Sequence, residues 1–129
     1  MKRNHVYLSL PLTLLIVLGA CRSAPIYNVQ SSPVKMYKAG YNQVDVEKAI
    51  LKAGLGLGWK MEVVSPGTIR GTLNLRSHQA VVLIPYNEKE YSINYESSQN
   101  LDYYQGQIHK NYNSWIRNLD NAIQREFID

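Results

Sequence analysis

The chain has 129 residues, one of them a cysteine, and carries 14 basic against 10 acidic residues for a formal charge of +4. That length holds one small domain, and a single cysteine excludes an internal disulfide, so stability has to come from packing. Lys2 and Arg3 belong to an N-terminal leader; without them 12 basic residues face 10 acidic ones, a charge of +2 with no basic cluster, which leaves nucleic-acid binding without an electrostatic footprint.

The leader comes first. Behind Lys2 and Arg3 runs an apolar stretch over residues 6–18, interrupted by Ser9, Pro11 and Thr13 and closed by Gly19 and Ala20. A charged head, an apolar middle and a small-residue exit are the layout of a secretory signal, and the stretch falls short of the ~20 apolar residues a membrane-spanning helix needs. Leu18, Gly19, Ala20 and Cys21 then resemble the lipobox of bacterial lipoproteins, a large aliphatic and two small residues ahead of the cysteine that receives the lipid. The resemblance covers residues 1–21. It implies that residues 1–20 are cleaved as a signal peptide, that the Cys21 thiol carries a diacylglyceryl group, and that the new amino terminus is acylated. Each buried methylene adds ~0.8 kcal/mol, so two or three acyl chains anchor firmly without crossing the bilayer. An ordinary cleaved signal is the competing reading, but Leu18 is bulky where an A-x-A-like exit is small. Arg22 rather than Asp follows the cysteine, which in enteric-type bacteria implies the outer membrane, here facing the periplasm. Lipidation of Cys21 would also withdraw the chain's one thiol from catalysis.

Residues 21–43 combine that cysteine with Pro25, Pro33 and several Ser and Asn but no helical period. They read as a flexible tether with a reach of roughly 25 Å, and residues 26–29 offer an edge strand as the alternative. Residues 44–129 are expected to form a single domain. Val46, Ala49, Ile50, Ala53 and Leu57 make a helical stripe, with Asn42 as N-cap, Asp45 in the first turn, and Gly54, Gly56 and Gly58 as the stop. The run "GLGLGWK" is no phosphate loop, because such a loop follows a strand and opens a helix, and here the order is reversed.

Four strand-like runs follow: Trp59, Met61 and Val63; Ile69, Gly71, Leu73 and Leu75; "AVVLIPY" over residues 80–86, apolar on both faces; and Tyr91, Ile93 and Tyr95. Turn chemistry separates them, and short connections imply an antiparallel meander. After a polar loop at 97–107, Ile108, Tyr112, Trp115, Ile116, Leu119, Ile123 and Phe127 form one stripe of a helix nearly 20 residues long, with Lys110, Asn113, Ser114, Arg117 and Asn121 on its wet side. The expected fold class is α+β. Its order is α-β-β-β-β-α, a four-stranded antiparallel meander with an N-terminal helix and a longer C-terminal helix packed on one face.

No motif carries chemistry. His78 reads as a solvated turn residue and His109 as a helix-border residue, while Glu88, Glu90 and Asp102 make no glycosidase pair. There is no HExxH and no cluster of Cys and His ligands, so no enzyme activity, cofactor or metal is expected. The better hint is ten Tyr and two Trp beside a single Phe, since aromatics with a polar tip suit half-buried positions and interfaces. Tyr91, Tyr95, Tyr112 and Trp115 read as core. Asn94 and Asn113 fall in the same Tyr- and Asn-rich third of the chain, and Asn100, Tyr103, Tyr104, His109 and Asn111 are the candidate binding residues. The expected function is a lipid-anchored, non-enzymatic binding or assembly module that contacts an envelope protein or peptidoglycan. A permanent structural subunit of an envelope complex is the alternative, and a small hydrolase or enzyme inhibitor a weaker one.

Overall fold

The computed structural model describes residues 1–9, 11 and 22–129, so the lipobox Leu18, Gly19, Ala20 and Cys21 lies outside the described residues. Helix α1 (Gln43–Gly56) starts on a capping box: the Asn42 side chain accepts the Asp45 N–H at 3.1 Å and the Asp45 carboxylate accepts the Asn42 N–H at 3.0 Å. Two otherwise orphaned donors are satisfied this way, a cap worth ~1 kcal/mol. The helix stops where Leu57 turns its N–H back to the Gly54 carbonyl and Gly58 takes a φ of +86°. Val46, Ala49, Ile50 and Ala53 are buried, whereas Leu57, expected on the same stripe, is 40 % exposed.

The sheet departs from the four-stranded meander expected of the sequence. Five antiparallel strands stand in the order β2-β6-β5-β4-β3, formed by β2 (Val29–Pro33), β3 (Lys60–Ser65), β4 (Thr68–Leu75), β5 (His78–Pro85) and β6 (Glu90–Gln99). A separate two-stranded ribbon pairs β1 (Ser23–Pro25) with β7 (Gln107–His109). Of the three extra strands, β1 and β2 come from the segment expected as a tether, where Val29 and Val34 are buried, and β7 from the junction of the expected polar loop and last helix. The cause is β6, whose outer edge would otherwise leave a row of backbone donors and acceptors unpaired. β2 covers it with Val29 opposite Ile93 and Ser32 opposite Tyr91, and a bulge between them places Ser31 at a φ of +46°. That bulge and Pro33 blunt the new edge.

Helix α2 (Lys110–Ile128) buries Tyr112, Ile116, Leu119, Ile123 and Phe127, which join α1 and the inner face of the sheet in one core. Ile108 belongs to β7 and not to the helical stripe expected to include it. Gly71 on β4 leaves room for the neighbours on that face: a Cβ there would lie 3.2–3.3 Å from Met61, Val82 and Trp59. The outer face carries Arg70, which reaches across β5 to Glu96, the extra residue of a bulge in β6, at 3.0 Å. Among the described residues no helix is long and apolar enough to cross a membrane.

Candidate functional site

β6 ends at Gln99, and the next seven residues hold a concentration of unusual backbone. Asn100, Asp102 and Gln105 have φ of +55°, +53° and +46°, and Gly106 follows at +76°. Asn and Asp enter the left-handed region more cheaply than other L-residues because their short side chains bond locally. Two successive left-handed residues are what a type I′ turn requires. Gln105 and Gly106 supply them, and Tyr104 and Gln107 exchange two backbone hydrogen bonds at 2.9 Å across the turn. Leu101, 2 % exposed, plugs the base of the loop and accepts the His109 N–H through its carbonyl at 2.8 Å.

The candidate residues divide by role. Asn100 donates from its amide to the Ser77 carbonyl at 2.7 Å, and its own carbonyl accepts the His78 ring N–H at 2.7 Å. His78 is therefore engaged rather than simply solvated, with its ring also 6.3 Å from that of Trp115. His109 caps α2, its Nδ1 accepting the Asn111 N–H at 3.2 Å. Asn100 and His109 thus hold the loop and the helix start, while Asn111 is exposed on the first turn of α2. Tyr103 and Tyr104 remain, 49 % and 70 % exposed. Tyr103 is braced: its ring stacks on Tyr95 at 4.8 Å and 18°, and Tyr95 meets Tyr112 edge-on at 5.7 Å. The Tyr112 hydroxyl at the inner end of this row is buried with no hydrogen-bond partner among the described residues. Burial, and secondarily the neighbouring Tyr95, push its pKa up.

Two features escape sequence reasoning. Asn113, placed by spacing on the wet side of α2, is 5 % exposed. Its Oδ1 accepts the Tyr27 N–H and its Nδ2 donates to the Pro25 carbonyl, both at 2.9 Å, so it straps residues 25–27 onto the helix. The Arg117 guanidinium lies 4.6 Å above the Tyr27 ring and reinforces the strap. The second is a groove of about 620 Å³ between β2 and the last turns of α2, floored by Phe127 and flanked by Lys35 and Arg125. It exists only because β2 lies on the sheet edge, and β2 has no periodic signal. Among the described residues no group of three His, Cys, Asp or Glu is placed to hold a metal.

No family model, curated protein or solved structure matches the chain.

Proposed function

We propose that the chain is a lipid-anchored, non-enzymatic module of the bacterial envelope, held at the outer membrane through Cys21 and facing the periplasm, that recognises an envelope protein or peptidoglycan through its 100–107 loop. The observation that carries the recognition reading is the strained, braced loop itself. Among the described residues, three of the five non-glycine residues with positive φ fall between 100 and 105, around two exposed tyrosines. Backbone strain costs of order 1–3 kcal/mol per residue and persists where the surrounding structure fixes it, often at binding sites. A preorganised aromatic pair loses little entropy on binding, and tyrosine is among the residues that dominate interface energetics.

The experiment is capture of partners by the acylated protein from its native membrane, comparing wild type with Tyr103→Ala and Tyr104→Ala. Tyr104→Ala is expected to weaken capture about 30-fold, the ~2 kcal/mol of a hot-spot residue, with a melting temperature unchanged because the side chain is exposed. Tyr103→Ala should weaken capture comparably and also lose ~0.5–1.5 kcal/mol of stability with its stack on Tyr95. Undiminished capture by both variants would remove the loop from the recognition surface. A permanent structural subunit is favoured instead by β3, an edge strand on which Val63 and Val64 are 44 % and 41 % exposed. That reading predicts that capture survives both tyrosine variants and fails with Val63→Glu.

A further inference from the structure

The seven residues that follow the anchor position do not swing free, and this fixes which end of the body meets the bilayer. The Lys110 N–H donates to the Arg22 carbonyl at 2.8 Å, and Ser23, Ala24 and Pro25 pair with His109, Ile108 and Gln107. A trans peptide separates neighbouring Cα atoms by about 3.8 Å, so Cys21 is one such step from a residue bonded to the start of α2. From there a continuous set of hydrogen bonds crosses the end of the sheet. The His109 N–H reaches Leu101, and the Asn100 amide reaches Ser77 in the turn between β4 and β5. Arg22, Lys110 and Arg76 thus share one end of the molecule, with Leu75 44 % exposed beside Arg76. The only carboxylate in this set of segments is Asp102.

The far end differs. Helix α2 has 19 residues, a length of ~28 Å at 1.5 Å per residue. Phe127 near its C-terminus meets Tyr91 at the start of β6, at the opposite end of the sheet from Ser77. Asp45, Glu88, Glu90, Glu126 and Asp129 lie towards that end with Lys35, Lys38, Lys48, Lys89 and Arg125, so charges of both signs mix there.

We propose that the Arg22, Arg76 and Lys110 end is a lipid seat: it rests on an anionic headgroup surface beside the acyl chains of Cys21 and holds α2 away from the membrane plane. This rests on the reading of Cys21 as lipidated. Cationic side chains are attracted to anionic lipid within about a Debye length, ~8 Å at physiological salt, and the bond between Arg22 and Lys110 keeps these two beside the anchor, with Arg76 on the same end of the body. Tyr104 pairs with Gln107, itself opposite Pro25. Three residues of strand rise and two strand spacings place it roughly 14 Å from Arg22, the neighbour of the anchor, so the recognition loop would work close to the membrane rather than at the end of a tether.

The test uses the acylated full-length product in vesicles of phosphatidylcholine with phosphatidylglycerol. Cys21 is the only native cysteine, so when it is lipidated an introduced cysteine is the only free thiol. Ser77→Cys and Ser114→Cys report the proposed seat and Glu88→Cys the far end, each carrying a fluorescent thiol probe read by quenching from headgroup-labelled lipid. Strong quenching at 77 and 114 with little at 88 is expected, falling with added salt. In an Arg76→Glu, Lys110→Glu background the ratio of seated to unseated protein should drop about 30-fold or more. Equal quenching at all three positions would overturn the seat while leaving the anchor standing. Labelling of the wild-type protein at Cys21 would overturn the anchor, and the seat with it.

Discussion

Raising the pH above 10.0, the ordinary tyrosine pKa, is expected to unfold the protein in one cooperative step. Three tyrosines are buried, Tyr86, Tyr91 and Tyr112, at 5 %, 1 % and 0 % exposure. Burial first, and then the hydrogen bond that its hydroxyl donates to the carboxylate of Glu47, push the Tyr86 pKa up to about 12. Burial and the hydrogen bond to Asp120 push Tyr91 up, and burial and Tyr95 push Tyr112 up. In each case the native state holds its proton where the unfolded chain releases it. Between pH 10 and about 12 the unfolded state therefore binds fewer protons, and stability falls as pH rises. Below pH 10 these contributions are intact. Tyr91 and Tyr112 each remove up to ~1.4 kcal/mol per pH unit and Tyr86, whose hydroxyl is only partly buried, removes less, so the three together remove about 3, a large share of the 5–15 kcal/mol that holds a domain of this kind together. Tyrosinate absorbance recorded beside circular dichroism checks this. The expected result is a joint transition in the two signals; complete ionisation of the tyrosines with native dichroism would refute the burial of these three hydroxyls.

Replacing Asn113 by leucine is expected to have the second largest effect. The substitution removes both hydrogen bonds of the strap and leaves the Tyr27 N–H and the Pro25 carbonyl against an apolar side chain. An unsatisfied buried group costs about 1–3 kcal/mol, so the pair should cost roughly 2–4 kcal/mol and lower the melting temperature by about 10 °C or more. Amide exchange at Tyr27 should accelerate more than at Ile116 in the core of α2. Asn111→Leu, two residues earlier and exposed, is the control and should change stability by less than ~0.5 kcal/mol. An Asn113→Leu protein as stable as wild type would mean that the strap is held by other contacts.

The helices were legible in the sequence because their buried residues recur at helical spacing and, for α1, because Asn42 and Asp45 spell the cap. The strands of the sheet interior were legible for the same kind of reason, since residues 69–75 alternate strictly. β2 was not, because in Val29, Gln30, Ser31, Ser32 and Pro33 only one residue is apolar and the bulge at Ser31 breaks the alternation. Its formation depends on an open edge of β6 that lies more than sixty residues away in the chain, as in the contact between Ser31 and Ser92. Ile108 carries a misleading helical spacing, four residues before Tyr112, but His109 has a φ of −55° and a ψ of 128°, which ends the ribbon and starts the helix. Within the candidate site, the exposure of Tyr103 and Tyr104 follows from a stretch with no periodicity. The cap role of His109 and the strapping role of Asn113 required knowing that residues 22–28 return to the C-terminal helix.

The most direct measurement is the intact mass of the mature protein purified from its native membrane. The account predicts a chain that begins at Cys21 and carries two or three acyl chains on that residue. An unmodified thiol at residue 21, or a product with its leader still attached, would contradict it.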